Sequence, residues 1–204
     1  MISAHFLLTA LVVVLAPGTG VIFTIAMGLG RGPKAALWAA LGCTLGILPA
    51  LIAAALGLAA ILHTSAVLFN VMKLLGVAYL LYLAWQAIKE GGALAVRAET
   101  DRSSGWTICR RAALINILNP KLSVFFLALL PPFLSGQTAT ASQEMFLLGG
   151  VFMAMTFFVF VGYRIFAAQA REVLLGSERI MRWLNRSFAA IFVALAGRLA
   201  FERA

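Results

Sequence analysis

Acidic residues are scarce in this chain: seven Asp and Glu stand against sixteen Lys and Arg in 204 positions. Charged residues of both signs make up 11%, where a soluble domain carries about a quarter. With 63% hydrophobic residues, an aqueous fold of this length could not hide its apolar surface. Histidine and cysteine are scarcer still. His5 and His63 stand far apart without acidic neighbours, and Cys43 and Cys109 form neither a disulfide framework nor a metal-binding spacing. No metal site and no cofactor are expected. The +9 net charge is spread over separate segments instead of lying in one stripe with interleaved aromatics, which excludes a nucleic-acid surface.

What is present is apolar sequence in long runs. A helix needs about 20 apolar residues to cross a bilayer. Six candidates follow, at about Ala4–Leu29, Ala35–Ile61, Ala66–Ile88, Ala112–Leu134, Met145–Tyr163 and Leu184–Phe201. The sixth has a short uncharged core, Ser187–Gly197, and needs Arg186 and Arg198 to snorkel outward. The first run lacks a basic leader and stays apolar to Leu29, so it reads as a mature span and not a signal peptide. The expected class is an all-α integral membrane protein lodged in a lipid bilayer.

Sorting the cations sets the orientation. Arg31, Lys34, Lys89, Arg97, Arg102, Arg110, Arg111, Arg164, Arg171, Arg179, Arg182 and Arg186 fall on one side, and only Arg198 and Arg203 on the other. The positive-inside rule makes the first side cytoplasmic and the N-terminus external. Trp38, Trp85, Trp106 and Trp183 lie beside that basic side, where an interfacial belt would put them. Residues 89–111 divide the chain as a linker, leaving 1–88 and 112–204 as halves that enter the membrane from opposite sides. The expected architecture is six transmembrane helices in two inverted three-helix repeats.

Each half opens on a broken helix. Pro17-Gly18-Thr19-Gly20 interrupts the first span, and Asn119-Pro120-Lys121 the fourth. Proline removes a backbone donor and clashes with the preceding turn, so a helix bends or stops there. In lipid such a break persists only where protein buries it or where it lines a wet cavity. Gly/Pro-interrupted spans at matching positions of two halves point to a transporter binding site. Asn116, Asn119 and Ser123 are close enough in sequence to serve the freed carbonyls.

Within the fourth span Lys121 lies near mid-membrane, and an intramembrane cation is costly enough to signal function; the competing reading is a cap on the carbonyls freed by Pro120. Lys73, shallower, divides between a site and snorkelling. Tyr79 shares a helical face with Lys73 through Gly76 and is the better site candidate beside Tyr82, which reads as belt. No Asp or Glu falls in any expected span, which excludes carboxylate-based metal transport and paired-acid hydrolysis there. If protons drive transport, the carrier is something other than a carboxylate, and Lys121 is the candidate. Gly42-Cys43-Thr44-Leu45-Gly46 is a small-residue packing face, open to a homo-dimer or to the monomer core.

Taken in order, these motifs resemble the lysine-exporter (LysE/RhtB) family of amino-acid translocators. Pro17-Gly18 resembles the start of its Pro-Gly-Pro-Asn/Asp motif, and Gly28, Gly32, Ala36, Gly42 and Gly46 its glycine-spaced continuation. The stretch from Lys73 to Trp85 resembles its third-span motif. Asn119-Pro120-Lys121 with Phe125-Phe126 and Leu130-Pro131-Pro132-Phe133 resembles the fourth-span signature, and Trp183 to Arg186 with Gly197-Arg198-Leu199 the usual close. The resemblance covers essentially the whole chain. It implies an exporter of amino acids or their derivatives in the bacterial inner membrane, driven by the proton gradient. Where the family has its second proline and its Asn or Asp, this chain has Thr19 and Gly20. The expected site therefore comprises Pro17, Gly18, Thr19, Gly20, Lys73, Tyr79, Asn116, Asn119, Pro120 and Lys121. The rival readings are an exporter of another cargo such as a metal ion, a membrane enzyme, and a non-transporting assembly subunit. The missing acids and thiols oppose the first, the lack of an in-membrane nucleophile–base pair the second, and the cost of two intramembrane lysines the third.

Overall fold

The computed structural model describes residues 2–16, 18–62, 66–89, 103–119, 122–123, 125–135, 137, 140–165 and 178–201. Every regular element among them is helical. Helix α1 spans Ala4–Leu15, begun by Ser3, whose Oγ accepts the Phe6 N–H at 3.1 Å. Helix α2, Thr19–Arg31, starts at Gly18 in extended conformation, and its axis lies 58° from that of α1. It ends on Gly32 at φ 82°, a left-handed value that glycine adopts without cost. Pro33 then opens α3, Pro33–Leu45, where a missing N–H does no harm.

A further interruption follows. Pro49 stands in the first turn of α4, Leu48–Leu62, so Leu45 loses its usual i+4 donor. The chain tightens locally, and the Ile47 N–H turns to the Thr44 carbonyl at 3.1 Å. Helix α5 is Ala66–Lys89, and α6 is Gly105–Ile117, begun by Ser104, whose Oγ accepts the Thr107 N–H at 3.3 Å. Helicity in the fourth segment thus begins before the expected entry at Ala112. The capping serine starts it, and Arg110, Arg111, Ala112 and Ala113, good helix formers, carry it on into the apolar run. Phe125–Leu129 forms a π-helical turn, with the Leu130 N–H on the Phe125 carbonyl at 3.0 Å, and Pro131–Phe133 a 3₁₀ turn. Helices α7, Ala141–Ile165, and α8, Glu178–Phe201, complete the chain. Both are longer than the apolar runs alone define, because polar ends extend a helix beyond its lipid-facing core.

Two described stretches, Pro33–Gly57 and Ala141–Tyr163, are long and apolar enough to cross a membrane, and α1 with α2 makes a third if the bent pair is one span. The outer surface suits lipid: Leu118 is 78% and Phe158 71% exposed. All four tryptophans are exposed as well. Lys89 holds its ammonium 4.9 Å from the Trp85 ring, a cation–π contact at the expected cytoplasmic boundary.

Small residues bring α3 and α6 together. A Cβ on Gly42 would collide with the Cys109 carbonyl, and one on Gly46 would lie 2.5 Å from that of Ala113. The glycine face of the second span is therefore filled from within the chain, by α6. Helix α7 packs on α3 and α4, and α5 pairs with α8. Phe125, Phe126 and Phe152 form an aromatic cluster at the π-turn, the first and last stacked with centroids 4.3 Å apart.

A candidate substrate cavity between two helix breaks

The break between α1 and α2 and the end of α6 face each other across a cavity of about 40 Å³. That is room for one or two waters. Val13, Val14 and Ala16 line it from the end of α1, and Gly18, Gly20 and Val21 from the start of α2. Asn116, Asn119 and Leu122 face them, and Phe152, Thr156 and Phe160 of α7 close the third side.

The α2 end is a helix N-terminus without a side-chain cap, since Gly18 has none to offer. A helix N-terminus carries partial positive charge and orphan N–H groups, which favour an anion. The Gly20 carbonyl is already occupied, accepting the Thr24 hydroxyl at 2.8 Å and the Cys43 thiol at 3.8 Å. Leu15, whose carbonyl loses its helical donor where α1 stops, receives the Tyr163 hydroxyl at 3.3 Å.

Asn116 is 4% exposed and ties α6 to α3. Its Nδ2 donates to the Cys43 carbonyl at 2.6 Å, the acceptor that Ile47 abandons in turning to Thr44. The amide oxygen then faces Gly20, where a Cβ would stand 2.9 Å away. Beyond Asn116 the backbone closes on itself, with the Asn119 N–H on the Asn116 carbonyl at 3.1 Å and the Leu122 N–H on that of Asn119 at 3.2 Å.

Of the expected site residues, the structure gathers Gly18, Gly20, Asn116 and Asn119 around one cavity. Thr19 is exposed and not part of its lining. Tyr79 is elsewhere, at a smaller hollow formed with Leu80, Leu83, Phe125, Leu129 and Phe192 on the far side of Val13. Pro17, Pro120 and Lys121 lie outside the described residues, as does the side chain of Lys73, whose backbone belongs to α5. The α7 wall was missed by sequence reasoning. Its signal was available: Phe152, Thr156 and Phe160 recur every four residues, one helical face with a lone hydroxyl in an apolar span. Thr156 donates to the Phe152 carbonyl at 2.9 Å, which hides its polarity within the helix. Among the described residues no group of His, Cys, Asp and Glu could hold a metal ion.

The family model described as LysE type translocator matches residues 11–203. The chain belongs to this family of translocators. It is a membrane transport protein and not an enzyme. An "Uncharacterized membrane protein" of Vibrio cholerae is 32% identical over 98% of this chain and 96% of its own length. A "Homoserine/homoserine lactone efflux protein" of Salmonella typhi is 28% identical over 97% of this chain and 95% of its own. A "Leucine efflux protein" of an Enterobacter strain is 29% identical, covering 96% of this chain and 93% of its own. No solved structure matches the chain.

Proposed function

We propose that this LysE-type translocator exports amino acids or amino-acid derivatives across the bacterial inner membrane as a proton antiporter, with its N-terminus outside. The observation that carries the reading is the meeting of an uncapped helix N-terminus with two asparagines in one cavity at the break of α1 and α2. The N-terminus suits a substrate carboxylate, and the side-chain amides suit a substrate's donors and acceptors. The efflux proteins named above are similar over nearly their whole length, which supports the direction of transport and the substrate class.

Six spans in two inverted halves remain the architecture we favour, with 1–88 and 112–204 as the repeats and 89–111 as the linker. Helix pairing supports it. Exchanging the first span with the fourth, the second with the fifth and the third with the sixth maps the α5–α8 pair onto itself. It also maps α3–α6 onto the contact of α7 with α1 and α2. Lys121 is the proposed cation of the site and carrier of the coupled proton, with Pro17 and Pro120 setting the breaks and Lys73, Thr19 and Tyr79 in supporting places. The test is efflux from preloaded vesicles over a panel of amino acids, with and without an imposed pH gradient, for the wild type and Lys121→Ala. Gradient-dependent efflux of one class, abolished by the substitution at unchanged protein level, is the expected result. Equal efflux from both proteins would reduce Lys121 to a structural cap, and intact proton coupling in Lys121→Arg would remove its role as carrier.

A further inference from the structure

Asn116 is held in a way that packing alone does not require. Its Nδ2 is committed to the Cys43 carbonyl at 2.6 Å, which fixes the flip of the amide and directs Oδ1 to the other side. Among the described residues Oδ1 meets no hydrogen-bond donor; it faces Gly20, whose Hα stands where a Cβ would approach to 2.9 Å. A Cα–H contact is a weak partner for an amide oxygen in a buried place. Such an atom, left with so little, ordinarily costs more than its packing returns. The same side chain is more than nine-tenths buried and lines the cavity.

The position of this acceptor is informative. It lies against the first turn of α2, beside the orphan N–H groups that favour an anion. An acceptor next to an anion site reproduces, in complement, the ammonium and carboxylate on the adjacent carbons of an α-amino acid. The rest of the described lining includes Val13, Val14, Leu122, Phe152 and Phe160 and contains no acid. A cationic side chain would enter it without a partner.

We propose that Asn116 Oδ1 is the group that selects the substrate's α-ammonium, and that Gly20 is small so that this oxygen can stand at the mouth of α2. The substrate class is then a free α-amino acid with a small neutral side chain, and acids without the amine are discriminated against. This rests on the exporter reading above and deepens it.

The test is substrate counterflow in proteoliposomes, with leucine, valine and homoserine each competing against the same molecule lacking its amine. Because both competitors meet the same vesicles, their ratio does not depend on how much protein is folded. A hydrogen bond to a charged group is strong enough that the wild type should prefer the amine-bearing partner by about tenfold or more. In Asn116→Ala the preference should fall to within about twofold. In Gly20→Ala the new Cβ displaces Oδ1, and the preference should be lost likewise, which covers the case in which Asn116→Ala does not fold. A preference that survives in either folded variant overturns the proposal and leaves the exporter reading intact. Counterflow of none of the three amino acids by the wild type overturns both.

Discussion

Gly46→Ala places one methyl group where the structure has no room for it. The residue's φ of −65° suits alanine, so backbone conformation does not oppose the change. Loss of glycine freedom in the unfolded chain would by itself stabilise by about 0.4–1 kcal/mol. Against this, the new Cβ lies 2.5 Å from the Ala113 carbonyl oxygen, 3.0 Å from Ala113 Cα and 2.9 Å from Asn116 Cβ. Two of these are backbone atoms of α6, so relief requires the helices to separate by roughly an ångström, which forfeits a quarter to a half of each dispersion contact along the seam. Overpacking of this kind costs about 1–3 kcal/mol. The Asn116–Cys43 bond crosses the same seam at 2.6 Å and would stretch beyond useful length, adding about 1 kcal/mol. The sum is about 1–3.5 kcal/mol of destabilisation after the entropic gain is subtracted. Gly57→Ala, in α4, is the control, since among the described residues a Cβ there meets nothing within 4 Å. Reversible unfolding of both variants in detergent micelles, followed by tryptophan fluorescence, measures the difference. Gly46→Ala as stable as Gly57→Ala would refute the close approach of α3 and α6.

Tyr163→Phe removes the donor to the Leu15 carbonyl and should cost about 1 kcal/mol, since the bond is made to a carbonyl the helix break has already orphaned; the same micelle unfolding reads it, and an unchanged protein would show that water satisfies Leu15. Ser104→Ala removes the cap of α6 and should cost about 1 kcal/mol, with Ser104→Asp restoring it; equal loss in both would deny the capping role. Orientation is read by thiol labelling in intact cells: a cysteine at Ser135 should react with an impermeant reagent, and one at Arg102 only after the membrane is opened. The opposite pattern would invert the topology.

Much of this organisation was legible because it rests on strong local chemistry. Long apolar runs, proline breaks and glycine turns act on the chain itself, so the α1–α2 break, the turn at Gly32 and the extent of α5 were readable from residues. The site was half legible. Gly18, Gly20, Asn116 and Asn119 announce themselves as polar or flexible residues inside apolar sequence. The partner of Asn116, however, is a backbone carbonyl 73 positions away, freed by the tightened turn before Pro49, and no side chain marks it. The wall of α7 was hidden by its phenylalanines, which read as packing until the opposite wall is known. Thr19 and Gly20 show how fine that division is: helical geometry turns the one outward and the other in, which residue type alone does not tell. The small-residue face of α3 was recognised as a packing face, yet only the fold decides that its partner is α6.

The most direct test of the central claim fills the cavity without disturbing the fold. Gly18 lines it in an extended conformation that any residue adopts, and among the described residues a Cβ there meets only the Ala16 carbonyl, at 3.9 Å. Amino-acid efflux from proteoliposomes carrying equal amounts of wild type and Gly18→Val is the measurement. The account predicts efflux by the wild type and at least a tenfold slower rate, about 1.4 kcal/mol or more in the barrier, for a variant of unchanged stability. Equal rates from the two proteins would show that the substrate path lies elsewhere.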